Sequence, residues 1–197
     1  MDDIEVNLME NTIYEVIITS FNKQVNFKPF GIKFNNKKVI LNLYPNRTLK
    51  NIKTNPEFLI QFTTNPLVYT KALLNKLTPS DYNKEYFLLD SNIVIKANVY
   101  SICEYVHEDN YGKVTLTQIT ANIEEIHEIN NQPPVINRAT NKIIDLLVDY
   151  TRLPYMNSTQ KNDYINKLQN LSSFIKKSGN NQHIQSLKLL KKEIIEE

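Results

Sequence analysis

The chain has 197 residues, of which 41% are hydrophobic and 22% are charged, so it can bury a core and is too apolar for wholesale disorder. The formal charge is +2; residues 1–130 hold 13 basic and 15 acidic side chains, and the remainder hold 10 and 6. This balance is far from the basic excess of a nucleic-acid-binding protein, so we expect no nucleic-acid partner.

Cysteine content and the first residues indicate the compartment. A single cysteine, Cys103, excludes a disulfide within the chain and suits a reducing interior. The acidic start "MDDIEVNLMEN" lacks the basic and apolar regions of a signal peptide. No apolar run approaches the roughly 18 residues of a membrane span. We therefore expect a cytoplasmic protein with no membrane partner.

The first two-thirds of the chain show the period-two alternation that is typical of β-strands. The predicted strands span residues 12–20, 27–34, 37–44, 57–63, 91–107 and 113–129. The second and third of these form a predicted hairpin that turns at Asn35 and Asn36. A short helix is predicted from Thr48 to about Lys53. The last two strands are long, which favours strands that curl around a barrel.

Helical signals appear at two places. Asn65 and Pro66 are an N-cap followed by proline at the first helical position. After residues 130–136 the apolar period becomes helical and predicts three helices, the second of them closed by Gly179. The sequence thus predicts an α+β fold, with a β-barrel domain at 1–130 and a helical subdomain at 131–197.

Most motifs of metal binding and catalysis are absent. The histidines His107, His127 and His183 lie far apart in sequence, although His107 and His127 end adjacent predicted strands and could be neighbours. Cys103 falls in an alternating strand, where a buried and inert thiol is expected. The three widely spaced glycines exclude a P-loop and a dinucleotide-binding fingerprint. We therefore predict no metal site and no classical catalytic residue.

One stretch is a candidate phosphate site. "LYPNRTLKNI", residues 43–52, indicates a strand that turns into a helix, and a helix N-terminus offers unpaired N–H groups to an anion. Arg47 can add a bidentate clamp and Thr48 a hydroxyl, with Asn46 before them and Asn51 on the same helical face. Taken alone, the same residues are explained more simply by a capped surface helix with a solvated arginine.

The order of several short segments resembles a known family. The segments are "EVIITS" (15–20), "PFG" (29–31), "LYPNRTLKNI" (43–52), "EFLIQFTTNP" (57–66), "NRATNKIIDLLVDYTRL" (137–153) and "FIKKSGNNQHIQSLKLL" (174–190). In this order they are similar to the FMN-binding split barrels, which include flavin reductases and pyridoxamine-phosphate oxidase. More closely, they resemble the archaeal domain-of-unknown-function family 447. The resemblance covers nearly the whole chain and implies a split barrel of the Greek-key type with a C-terminal helical subdomain.

The resemblance implies a set of cofactor-binding residues. They are Phe30, Gly31, Ile32, Asn46, Arg47, Thr48, Asn51, Thr63, Thr64, Asn65, Asn137 and Arg138. The flavin phosphate would lie at residues 46–51 and the ring along 30–32, where a side chain in place of Gly31 could block close approach. Residues 63–65 would lie near the ribityl chain, and Asn137 and Arg138 would reach in from the helical tail of either the same or the other subunit. The chain departs from the family at Pro45-Asn46, which replaces a Gly-Ser pair, and at Thr64-Asn65, which replaces an acidic pair.

The resemblance also implies a function. It predicts a homodimeric FMN-binding protein with cofactor sites at the subunit interface, acting as a flavin-dependent oxidoreductase on an unknown small-molecule substrate. Two alternatives stay open: a module that stores, senses or delivers flavin without turnover, and an interaction scaffold with a vestigial pocket. Another planar cofactor, such as a pterin, haem or deazaflavin, also stays open.

Overall fold

The computed structural model describes residue 10 and residues 12–109, 112–129 and 137–196, so the predicted linker at 130–136 lies wholly outside the described residues. Contacts divide the chain into two compact units: Met1–Thr63 with Thr78–Gln132, and Thr64–Leu77 with Pro133–Glu197. The sequence prediction kept residues 64–77 with the barrel, whereas the contacts group them with the C-terminal helices.

The first unit is a closed barrel of six antiparallel strands. They are β1 (Tyr14–Ser20), β2 (Asn26–Asn35), β3 (Lys38–Leu43), β4 (Glu57–Phe62), β5 (Ile93–Asp109) and β6 (Gly112–Glu128). Their spatial order is β1-β2-β3-β6-β5-β4, and β4 pairs back onto β1. The predicted barrel is therefore confirmed.

Alternation along the strands gives the barrel an apolar interior, because every second side chain faces inward. The buried strand residues of this core are Val16, Ile18, Ile32, Phe34, Val39, Leu41, Leu43, Phe58, Ile60, Ile95, Ala97, Ile119 and Ala121. The helix α1 (Arg47–Thr54) adds Leu49 and Ile52 to the same cluster. This packing fixes α1, and with it the turn from β3 into α1, against the barrel core.

The hairpin of β2 and β3 turns through Asn36 and Lys37, whose φ angles are 49° and 59°. Two successive residues in the left-handed region are characteristic of a type I′ turn, whose twist matches that of the paired strands. The predicted hairpin is confirmed, with its turn one residue later than the sequence indicated.

The hairpin of β5 and β6 extends beyond its neighbours. The pairing of β4 with β5 ends at Asn98, and that of β3 with β6 ends at Thr117. In the described part of the chain, residues 100–109 and 112–116 have no strand partner in β3 or β4, and we call them the arm. Cys103 lies on the arm and is exposed. The expectation of a buried thiol is thus wrong, since a strand that leaves the barrel can expose both faces.

The second unit is helical. Its helices are α2 (Pro66–Leu73), α3 (Arg138–Tyr150), α4 (Ser158–Ser178) and α5 (Asn181–Glu196). The predicted start of α2 is confirmed, since the Asn65 side chain accepts a hydrogen bond from the Leu67 amide and Pro66 is the first helical residue. The three C-terminal helices are also confirmed; Asn157 is the N-cap of α4, and Gly179 is its C-cap as predicted. In the described part of the chain, no helix combines the length and apolarity that a membrane crossing needs.

Candidate functional site

The four predicted phosphate residues lie at the turn from β3 into α1 and in α1 itself. Asn46 is the N-cap of α1, and its Oδ1 accepts a hydrogen bond from the Leu49 amide at 2.9 Å. The side chain of Asn46 therefore satisfies one of the unpaired amides that open a helix. The side chain of Asn46 therefore acts as a helix cap, as the capped-helix interpretation predicted. The cap does not explain Arg47, whose contacts are different.

A cluster of buried polar side chains lies behind this turn. Thr48 Oγ1 accepts a hydrogen bond from Asn26 Nδ2 at 2.9 Å, and Asn51 Nδ2 donates to Ser20 Oγ at 3.2 Å. Asn26 Nδ2 also lies 3.4 Å from Ser20 Oγ. All four residues are at most 4% exposed. The cluster ties the first turn of α1 to the end of β1 and the start of β2.

Two of the predicted phosphate ligands have side chains that already bond within the protein. Thr48 and Asn51 are 1% and 3% exposed, and their side chains bond to Asn26 and Ser20. A buried donor or acceptor that loses its partner costs about 1–3 kcal/mol, so these side chains are held where they are. Their clearest role is to fix the position of Arg47.

Arg47 opens α1 and is exposed. One of its guanidinium nitrogens, Nη2, lies 3.3 Å from Gln24 Oε1 in the loop between β1 and β2. Lys28, on β2, is half-buried nearby, and burial together with the Arg47 charge lowers the pKa of its ammonium group. Two cations thus lie close together at this end of the barrel.

Sequence reasoning missed Lys28, but a signal was available. Residues 16–56 contain eight basic side chains and no acidic one, although the whole chain has a formal charge of only +2. This segment includes most of β1 together with β2, β3 and α1. Its positive charge is not apparent when charges are summed over residues 1–130. A local count of charge would have identified this basic segment, although not the proximity of Lys28 to Arg47.

The predicted ring-binding strand has two distinct faces. Ile32 is 1% exposed and belongs to the barrel core, and Phe30 packs against that core. Gly31 lies on the opposite, exposed face, where a Cβ atom would come within 2.9 Å of Ile13 Cγ2. The side chains of Phe30 and Ile32 are therefore committed to packing. Only the backbone of this segment can present polar groups to a ligand.

The remaining predicted residues are divided between the two units. Thr63 is buried and belongs to the barrel unit, whereas Thr64 and Asn65 belong to the helical unit. Asn137 caps α3 by accepting a hydrogen bond from the Ala139 amide at 2.8 Å. The Arg138 guanidinium carbon lies 5.8 Å from the centre of the Phe174 ring. The assignment of these residues to a cofactor stays a prediction.

Other site chemistry is sparse. Within the described ranges, no group of three or more His, Cys, Asp or Glu side chains could hold a metal ion. His107 pairs with Val114 and His127 pairs with Val94, at opposite ends of the long hairpin, so the idea that these histidines are neighbours is wrong. The helical unit has a cavity of about 230 Å³, and its lining does not include any of the predicted cofactor residues. Its lining residues are Asp149, Met156, Gln160, Asp163, Tyr164 and Lys167.

Comparison with known families identifies the chain. Residues 14–130 match the N-terminal domain, and residues 137–192 the remainder, of a family described as "Protein of unknown function (DUF447)". The chain belongs to the DUF447 family. It is also 30% identical to the uncharacterized protein MJ1453 of Methanocaldococcus jannaschii over 193 residues, which covers 90% of this chain and 96% of the relative.

Solved structures confirm the fold of this DUF447 protein. The FMN-bound protein MM1853 of Methanosarcina mazei, also of family DUF447, aligns with a TM-score of 0.75 and 17% identity over 94% of this chain and 96% of that chain. The styrene monooxygenase flavin reductase of Pseudomonas putida S12 aligns with a TM-score of 0.50 and 11% identity over 62% and 82%. The predicted split-barrel fold with helices is therefore confirmed.

Proposed function

We propose that this DUF447 protein binds FMN, with the phosphate held at the turn between β3 and α1. The observation that carries the proposal is the position of Arg47, an exposed cation at the first residue of a helix whose first turn is fixed by buried hydrogen bonds. A guanidinium suits a phosphate because it donates two parallel hydrogen bonds and keeps its charge at every physiological pH.

The fit of these residues to FMN extends beyond Arg47. The segment that carries the turn has no acidic side chain between residues 16 and 56, so nothing within it would repel a phosphate. The FMN-bound protein MM1853 shares the fold over 94% of this chain, which supports the same cofactor here. The backbone of Phe30, Gly31 and Ile32 would face the polar edge of the ring. Thr63–Asn65, Asn137 and Arg138 complete the proposed set.

We further propose that the protein is a flavin-dependent oxidoreductase. The flavin, when bound, supplies hydride or electron transfer, while the protein binds and orients it. The flavin reductase of styrene monooxygenase shares this fold, which supports a redox role. No residue of this chain is assigned as a catalytic acid, base or nucleophile.

A homodimer is the third part of the proposal. The arm exposes a set of apolar side chains whose exposed fractions are 62% for Tyr100, 41% for Ile102, 37% for Tyr105 and 69% for Val106. An apolar surface on a long strand that leaves its sheet favours pairing with another chain. A second copy would bring the same surface, as a two-fold interface requires.

The first test is the visible spectrum of the protein purified without added cofactor, with mass identification of what the denatured protein releases. A yellow protein that yields FMN supports the cofactor. A colourless protein that gives neither a thermal shift nor a fluorescence change with saturating FMN contradicts it. Release of a different planar molecule would replace FMN as the cofactor.

A second test separates turnover from storage. The FMN-loaded protein is mixed anaerobically with a nicotinamide donor or a reduced deazaflavin, and the flavin absorbance is followed. Bleaching faster than that of FMN in solution supports an oxidoreductase. If bleaching is no faster with the protein than without it, storage or sensing is the better description.

A further inference from the structure

The basic side chains of residues 16–56 have different surroundings. Lys53 forms an ion pair with Glu104 at 2.8 Å, and the Lys38 ammonium lies 3.2 Å from the centre of the Tyr100 ring. Arg47 contacts the neutral side chain of Gln24 instead. Lys28 differs from these residues because its ammonium group is half-buried and the charge of Arg47 acts on it.

The register of β2 fixes the face to which Lys28 belongs. Lys28 is paired with Ile18, which lies in the barrel core, and Asn26 is paired with Ser20, so both β2 residues lie on the inward face of the strand. Asn26 contacts Thr48 from this face at 2.9 Å. Lys28 is two residues further along the same face, about 7 Å away. The fold therefore places the ammonium group of Lys28, from β2, and the guanidinium of Arg47, from α1, at the same end of the barrel.

Two cations held this close repel each other, and burial of one of them adds a desolvation cost. Burial is the larger cause of the lowered pKa of Lys28, and the Arg47 charge is the second. An anion with two negative charges that binds between the two cations would be attracted by both and would offset this repulsion. A phosphate monoester, which carries nearly two charges at neutral pH, is an anion of this class.

We infer that Lys28 is a second cation of the phosphate site and binds the FMN phosphate together with Arg47. This inference rests on the proposed function and deepens it. It makes Lys28 a specificity-determining residue, because a site with two cations discriminates FMN from riboflavin, which has the same ring and ribityl chain without the phosphate. The sequence resemblance assigned no role to this position.

The test uses three variants of the full-length protein. Lys28→Met removes the charge and keeps the length of the side chain, whereas Lys28→Arg keeps the charge. Lys33→Met is the matched control, since Lys33 is also half-buried on β2 but is paired with Ile40, on the outward side of the strand and about 17 Å further along. Dissociation constants for FMN and for riboflavin are measured by flavin fluorescence at low and at physiological salt.

We expect Lys28→Met to weaken FMN binding by about tenfold or more, the usual effect of losing a charge-assisted contact. Riboflavin binding should be unchanged, and the salt dependence of FMN binding should decrease. Lys28→Arg and Lys33→Met should bind FMN within about threefold of the parent.

Each other outcome overturns the inference in a recognisable way. Equal FMN affinity of parent and Lys28→Met, with a loss in Arg47→Ala, removes Lys28 from the site and leaves the proposed function standing. Equal weakening of FMN and riboflavin assigns Lys28 to the shape of the pocket rather than to the phosphate. If the parent binds neither flavin, both the inference and the proposed function are wrong.

Discussion

The side-chain amide of Asn26 donates a hydrogen bond to the hydroxyl of Thr48 at 2.9 Å, across 22 residues of sequence. Both side chains are buried, and the bond joins the start of β2 to the first turn of α1. The turn that presents Arg47 is therefore held by contacts made deep in the barrel unit. The position of the proposed phosphate site and the stability of the barrel depend on the same few atoms.

The first prediction concerns this bond. Thr48→Val preserves the shape of the side chain but leaves the Asn26 amide with only the longer contact to Ser20, so we expect a loss of about 1–3 kcal/mol in the free energy of unfolding. Urea denaturation measures the loss. Thr54→Val is the control, because Thr54 lies at the exposed end of α1 and bonds only to the Lys50 carbonyl in the described contacts. Equal losses in the two variants would contradict the prediction.

The second prediction separates binding from stability at Arg47. Because Arg47 is exposed and its guanidinium contacts a neutral amide, that of Gln24, Arg47→Ala should leave the unfolding midpoint nearly unchanged. Its FMN affinity should decrease by about tenfold or more, equivalent to about 1.5–3 kcal/mol. Isothermal titration measures the affinity. Lys50→Ala, one turn later on α1, should bind nearly as the parent does, and equal effects would exclude a specific phosphate contact.

Local sequence patterns were sufficient for most of the fold. Alternation predicted the six strands, and Asn65 with Pro66 predicted the start of α2, because strand faces and helix caps depend on residues within one or two turns. The exposure of Cys103 could not be predicted this way. Whether a long strand stays in the barrel depends on where β3 and β4 end, which the residues around Cys103 do not encode.

The candidate site was harder to predict than the fold. The residues around Arg47 identified the turn, but they did not reveal that Thr48 and Asn51 bond to Asn26 and Ser20, which lie 22 and 31 residues away. Only the closed barrel brings these residues together. Lys28 was missed for the same reason, since its proximity to Arg47 arises from tertiary structure.

The third prediction concerns a buried glutamine on β4. Gln61 is fully buried; its Nε2 donates to Thr19 Oγ1 at 2.7 Å and to the Tyr86 carbonyl at 3.0 Å, and its Oε1 accepts from the Leu88 amide at 2.7 Å. These bonds hold the loop that contains Tyr86, whose φ is 62°. Gln61→Leu removes all of them, so we expect a loss of at least about 3 kcal/mol in unfolding free energy.

A matched control exists for this glutamine. Gln118 is also a strand residue with an amide hydrogen bond, to Asn42 Oδ1 at 3.3 Å, but that contact is exposed. Gln118→Leu should change the unfolding free energy by less than about 0.5 kcal/mol. Limited proteolysis of Gln61→Leu should also cleave near Tyr86 before the barrel unfolds. An uncut loop with unchanged stability would show that the backbone holds this loop without the glutamine.

The fourth prediction tests the homodimer. Ile102→Asp with Val106→Asp places two charges on the arm, where the parent side chains are 41% and 69% exposed, so the folding of one subunit should be little affected. Light scattering coupled to gel filtration should then report a monomer in place of a dimer. Tyr155→Asp is the control, because Tyr155 is 71% exposed in the helical unit and should leave the dimer intact. A parent protein that is monomeric at high concentration would rule out the proposed assembly.

The fifth prediction follows from His183 in the helical unit. His183 is 3% exposed; its Nε2 lies 3.0 Å from Thr140 Oγ1 on α3, its Nδ1 lies 2.6 Å from Asn180 Oδ1, and burial lowers its pKa from the ordinary 6.5. The folded protein thus holds this imidazole neutral more strongly than the unfolded chain does. The resulting stabilisation is complete above about pH 6.5 and is lost as the pH falls toward the folded-state pKa, because the unfolded state then binds the proton first.

The parent should therefore lose thermal stability between about pH 7 and pH 5 through His183, in addition to any general acid effect. His183→Gln lacks the titrating group and should show a smaller decrease in melting temperature over this range, from a lower starting value at pH 7. His107→Gln, which changes a histidine of the barrel unit, should retain the decrease of the parent. Calorimetry at a series of pH values gives the three slopes. If the slopes of the parent and of His183→Gln coincide, protonation of His183 does not limit the stability of the helical unit.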